Sequence, residues 1–72
     1  MTGEEIRTRR KALGLTLLDL SRAVGMSESH IAGLETGRAK ITPAKVHGIE
    51  YALSEIEKAV AAVETNHKHK GK

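Results

Sequence analysis

Apolar side chains recur at helical spacing in two short blocks and one long one, and capping residues or glycine bound each block. Between Thr16 and Gly37, Leu17, Leu20 and Val24 share one helix face, and Ile31 and Leu34 form the inner face of a second helix. Thr16 is a good N-cap for the first, with Asp19 three residues on to complete a capping-box-like pair. Gly25 ends that helix, because glycine takes positive φ without steric cost. Ser27 caps the second helix and Gly37 ends it. Leu15 and Met26 stand just before the two caps, placed to staple onto Leu20 and Ile31.

Helices flank this pair on both sides, so the pattern predicts an all-α fold, a small bundle of four to five helices. The first runs from about Gly3 to Leu13, with Thr2 and Glu5 as a capping box and Gly14 as its stop. The last opens at Thr42-Pro43, where Thr42 caps and Pro43 takes the first helical position, and Ile41 can staple to Val46. It is expected to span residues 43–65, roughly 35 Å. Its apolar positions are Val46, Ile49, Leu53, Ile56, Val60 and Val63, spaced 3, 4, 3, 4, 3 in a heptad-like pattern. The first three are needed to close a small core. Ile56, Val60 and Val63 extend beyond what so small a domain covers, and an exposed apolar stripe needs a partner. The same helix of a second chain is the obvious one, which predicts a homodimer. The alternative is a helix that folds back as two shorter ones and buries the stripe. Gly48 weakens the helix locally by about 1 kcal/mol, so it marks either a kink or a point of close packing.

Composition narrows the function classes. A chain of 72 residues is one small domain with a thin core, and without Phe or Trp that core is Leu, Ile, Val, Ala and Met. Cysteine is absent, which excludes disulfides, thiol catalysis and cysteine-based zinc sites. No apolar run approaches the roughly 20 residues of a membrane span, and the N-terminus lacks a signal-peptide core, so a cytoplasmic protein is expected. The acids and histidines show no metal-ligand or nucleophile–base spacing on a common face, so neither a cofactor nor an enzyme is expected. The net charge of +3 is unevenly laid out. Residues 1–45 hold eight Lys/Arg against five acids, residues 46–65 hold Lys58 against four glutamates, and the tail adds Lys68, Lys70 and Lys72. The tail, residues 66–72, has no apolar residue and is expected to be disordered and basic. Its His67 and His69 make only a weak metal site.

A helix, a turn of about three residues containing glycine, and a second helix form the DNA-reading supersecondary unit, and the basic part of the chain coincides with it. Here the chain resembles the phage repressor and Cro family of helix-turn-helix proteins, also called the XRE family. Ile6-Arg7, Arg10, Gly14-Leu15-Thr16, Leu20, Val24-Gly25, Ser27, Ile31 and Leu34-Glu35-Thr36-Gly37 carry the resemblance, over roughly residues 4 to 53. It implies a lambda-repressor-like DNA-binding domain over residues 1–65, with the helix-turn-helix at 16–37. It also implies an ion pair between Arg10 and Glu35 that links the first helix to the end of the recognition helix. The family reads bases from the positions held here by Ser27, Glu28, Ser29 and Gly33, and Arg38, Lys40 and Lys45 match its backbone-contacting loop.

Physical chemistry fits those assignments. Glu28 can accept from a cytosine amino group, and Ser29 can serve donor or acceptor edges. As a first-turn acid, Glu28 also simply suits the helix dipole. His30 and Thr36 are secondary candidates for bases or phosphates. Thr16, at a helix N-terminus, offers backbone N–H groups to a phosphate, and Arg7, Arg9, Arg10 and Arg22 are further phosphate candidates, although Arg9 and Lys11 read equally well as solvated surface. The chain departs from the family at Gly33, where a long polar residue is usual, and at Leu17, where many relatives carry Gln. Gly33 reads as close approach to DNA or as a position that no longer reads a base. The expectation is a homodimeric, sequence-specific regulator of transcription that represses from a palindromic operator in double-stranded DNA. The alternative is an antitoxin or other protein-binding module whose last helix takes a partner protein.

Overall fold

Local signals and long-range packing agree on a helical bundle. The structure is a computed structural model that describes the backbone of residues 1–70 and the side chains of residues 1–63. It holds four helices and, among the described residues, no strand: α1 (Gly3–Ala12), α2 (Leu17–Val24), α3 (Glu28–Thr36) and α4 (Pro43–Lys70). Thr2 and Thr16 each form a reciprocal capping box, with Glu5 and Asp19 respectively. Ser27 Oγ accepts from the His30 N–H at 3.1 Å, and Thr42 Oγ1 from the Lys45 N–H at 3.3 Å. These bonds satisfy donors that a helix start leaves without partners. At the end of α2 the chain turns at Gly25 with φ of 83°, and its N–H donates to the Ser21 carbonyl at 2.8 Å. A side chain there would be strained, so the tight turn into α3 depends on glycine.

The core draws on every helix. Ile6, Leu20, Ile31, Leu34, Ile49 and Leu53 are fully buried, and Met1, Leu13, Leu15, Leu17, Val24, Met26, Ala39 and Ile41 pack around them. Leu17 thus packs against the core. Gly3 permits an unusually close approach of α1 to α3. A Cβ on it would overlap the Leu34 carbonyl oxygen and lie 2.8 Å from that of Glu35. Nothing in the local pattern marks Gly3 for this role.

Helix α4 is one uninterrupted element, so it does not fold back as two helices. Gly48 sits beside α2, where a Cβ would be 3.9 Å from Val24 Cγ1, an ordinary contact. The helix also runs past its expected end near Thr65, and past the start of the expected disordered tail, to Lys70. The physical reason is the absence of a stop signal: from Tyr51 to Lys70 there is neither glycine nor proline. The side chains of His67 and His69, and residues 71–72, lie outside the described residues. The molecule is consequently elongated, 48 × 20 × 19 Å.

Candidate nucleic-acid interface

Two faces of the molecule have the chemistry to bind something, one polar and one apolar. The polar face is built on α3. Ile31 and Leu34 turn inward and are fully buried, which leaves Ser27, Glu28 and Ser29 exposed at the start of the helix. An open polar groove runs beside that end, lined by Ser27, Ser29, His30, Gly33, Arg38 and Ala39. Arg38 thus comes from the loop after α3 to stand across from the serines at its start. Arg38 and Lys40 are exposed, and Lys45 is half-buried in the first turn of α4. Two hydroxyl donors or acceptors, an imidazole and a guanidinium along one groove suit a hydrogen-bonding, anionic ligand.

Several candidates sit elsewhere. Thr16 is exposed, but its hydroxyl is committed to the cap, accepting from the Asp19 N–H at 3.0 Å. The Asp19 carboxylate accepts from the Thr16 N–H, which holds its pKa below the usual value. What remains for an anion there is the exposed helix end itself. Thr36 is at the far end of α3, and its hydroxyl donates to the Ala32 carbonyl at 2.9 Å. Arg7 and Arg22 are exposed on α1 and α2, outside the groove.

Two further candidates are engaged within the fold. Gly33 is buried at the floor of the groove, with its backbone packed against the following loop. Its carbonyl accepts from the Ala39 N–H at 3.0 Å, and a Cβ on it would be 3.3 Å from Ala39 Cβ. The missing side chain makes room for the loop that carries Arg38 and Lys40. Arg10 is likewise engaged. It is buried, donating from Nε to Glu35 Oε2 at 2.8 Å, from Nη2 to Glu35 Oε1 at 3.0 Å and from Nη1 to the Leu15 carbonyl at 2.9 Å. Its partner carboxylate is as enclosed, with side-chain exposures of 9% and 4%. A bidentate pair with a third bond to backbone is the geometry in which a buried arginine is tolerated. The hydrogen bonds to Glu35 raise the pKa of Arg10 further.

One cluster had no signal in the local pattern. Arg9 bridges α1 to Glu50 and Glu57 of α4, donating to Glu57 at 2.8 and 3.0 Å and to Glu50 at 2.5 and 3.2 Å. Ser54 Oγ donates to Glu50 at 2.6 Å. Hydrogen bonds from Arg9 lower the pKa of both glutamates, that of Glu50 to about 2. The seven-residue spacing of Glu50 and Glu57, two turns on one helix face, was the only trace of this cluster in the sequence.

The apolar face is the outer half of α4. Beyond Leu53, Ile56 is half-buried, while Val60 and Val63 are 41% and 66% exposed. With Ala59 and Glu55 they line an open apolar groove that continues the line of Ile49 and Leu53. Among the described residues no helix is long and apolar enough to cross a membrane, and no cluster of three or more potential metal ligands is found.

A family model described as "Helix-turn-helix domain" matches residues 3–50, which covers α1 to α3 and the first turns of α4. No match to the chain was found among curated proteins or among solved structures. The matched segment is two thirds of the chain, and the chain belongs to this helix-turn-helix family of DNA-binding domains.

Proposed function

We propose that this helix-turn-helix protein is a homodimeric, sequence-specific regulator of the phage repressor and Cro type, which represses transcription from a palindromic operator. The observation that carries the proposal is the exposed start of α3, Ser27-Glu28-Ser29, flanked across one groove by Arg38. In a helix-turn-helix the N-terminal part of the second helix enters the major groove. Ser27, Glu28 and Ser29 then read base edges, and Glu28 selects a base with an amino donor because its carboxylate only accepts hydrogen bonds. Arg38, Lys40 and Lys45 neutralise the backbone on one side, with Arg7, Arg22 and the Thr16 helix end as outer contacts; these fix register and supply affinity without reading sequence. His30 and Thr36 are secondary contacts.

Dimerisation follows from the apolar face. Ile56, Val60 and Val63 extend the buried line of Ile49 and Leu53 into solvent, so a second copy of the helix continues the core across a two-fold axis. The two recognition helices then meet successive major grooves about 34 Å apart.

The test begins with light scattering of the full chain at micromolar concentration, followed by selection of binding duplexes from a random library. A dimer that enriches a two-fold symmetric sequence is the expected result. A monomer that enriches no sequence would overturn the reading and favour a partner protein on Ile56, Val60 and Val63, as in an antitoxin. On the selected duplex each substitution removes one phosphate contact per protomer, so Arg38→Ala and Lys40→Ala should each reduce the slope of log K against log salt by about 1.8 for the dimer. Unchanged slopes would remove both from the phosphate contacts.

A further inference from the structure

We infer that Arg9 is a positioning residue that sets the direction of α4 relative to the recognition helix, and thereby the spacing of half-sites that a dimer accepts. For its effect on DNA the inference rests on the dimeric reading above; the geometry that carries it lies within one chain.

Arg9 and Arg10 are consecutive, and successive side chains on a helix point about 100° apart. One turn of α1 therefore sends one guanidinium to α4 and the next to α3. Arg10 clasps Glu35, near the end of the recognition helix. Arg9 spans two turns of α4, holding Glu50 and Glu57 at once through four hydrogen bonds. The inner of these contacts, Glu50, lies beside the core residue Ile49. The outer, Glu57, lies beyond Leu53, the last fully buried side chain of the described part of α4. Glu57 is thus the tie at which α4 leaves the body of the domain.

Ion pairs this exposed add little to stability in water, but direction is a different quantity. From Glu57 to Lys70 the helix extends roughly 20 Å at 1.5 Å per residue. A swing of about 10° at Glu57 moves its far end by about 3.4 Å, the rise of one base pair. A rigid guanidinium fork held at both carboxylates resists such a swing, which a flexible lysine would not. Beyond Leu53 no described side chain of α4 is fully buried, so Arg9 opposes a tilt of this uninterrupted helix as a whole.

The chain contains no cysteine, so paired spin labels can be placed through Ala12→Cys on α1 and Ala62→Cys on α4, both at exposed positions. Pulsed electron resonance on a labelled chain diluted into unlabelled protein reads the distance within one chain. The native Arg9 should yield a narrower distribution than Arg9→Gln, with unchanged helicity by circular dichroism. Glu57→Gln removes only the outer tie and should broaden the distribution alone. An unchanged distribution in both variants overturns the inference, whatever the DNA results. The second arm uses duplexes carrying two selected half-sites with the spacer varied one base pair at a time. The native dimer should prefer one spacing over its neighbours, and Arg9→Gln should reduce that preference by about fivefold while binding a single half-site as before. A native dimer without any spacing preference overturns the two-half-site reading itself. A native preference that survives in Arg9→Gln overturns only the role of Arg9.

Discussion

At the scale of single residues, the least conspicuous positions carry strict requirements. Gly3 opens α1 where the helix lies against the backbone of Leu34 and Glu35. Alanine has the higher helix propensity by up to about 1 kcal/mol, but that gain is small at a first helical position. The collision is with carbonyl oxygens, which cannot rotate away as a side chain would. Gly3→Ala should therefore destabilise the domain by about 1–3 kcal/mol through the shift it forces between α1 and α3. A rise in the thermal midpoint would show that the two helices separate without cost. Arg10 and Glu35 present the opposite case, a buried charge on each side of one contact. Arg10→Met strands the Glu35 carboxylate and should cost about 3–5 kcal/mol, whereas Arg10→Met with Glu35→Leu should recover most of that loss. Urea midpoints of the two variants decide it; equal losses would mean that the guanidinium matters for something other than its partner.

At the scale of elements, the Arg9 cluster makes the docking of α1 on α4 depend on pH. The Glu50 carboxylate titrates near 2 instead of its ordinary 4.5, and Glu57 is also lowered, in each case chiefly because Arg9 hydrogen-bonds the charged form. A carboxylate whose pKa is lower in the folded state contributes stability above its unfolded value and loses it as pH falls through the folded one. The contribution should be complete above about pH 5 and disappear between there and pH 2. Both carboxylates are around two-fifths or more exposed, so salt should shrink it. Thermal midpoints of native protein and Arg9→Gln, taken from pH 7 to pH 2.5, should converge on acidification. Parallel curves would place the acid sensitivity in other groups, such as the capping carboxylates Glu5 and Asp19, whose pKa values are also lowered.

At the scale of the whole molecule, the elongated shape separates two tasks. The body made by α1, α2, α3 and the first half of α4 buries its own core, while the second half of α4 presents Val60 and Val63 to solvent. A charge on that outer face should leave the fold alone and remove the dimer proposed above. Val60→Glu is expected to keep native helicity and melting of the body, to halve the mass seen by light scattering, and to weaken binding to a two-half-site duplex by more than tenfold. A Val60→Glu dimer with undiminished affinity would assign the stripe to some other partner. Loss of helicity throughout would instead show that the overhang helps to hold the body together.

Caps, helix faces and the three positive-φ glycines, Gly14, Gly25 and Gly37, were legible in the sequence because each is settled by residues three or four apart. The same holds for the exposed start of α3, since the inward positions Ile31 and Leu34 imply their opposite face. The pairing of Arg10 with Glu35 was available through family resemblance, not through spacing. What the tertiary structure alone decided lies between residues far apart in the chain. Arg9 meets Glu57 across 48 positions, Gly3 meets the carbonyl of Leu34, and Ala39 returns over Gly33, which gives that glycine a packing role. A helix pattern determines which side of an element is wet. Which neighbour lies within hydrogen-bonding reach depends on how the elements cross, and that is set by the shapes of the six core side chains packed together.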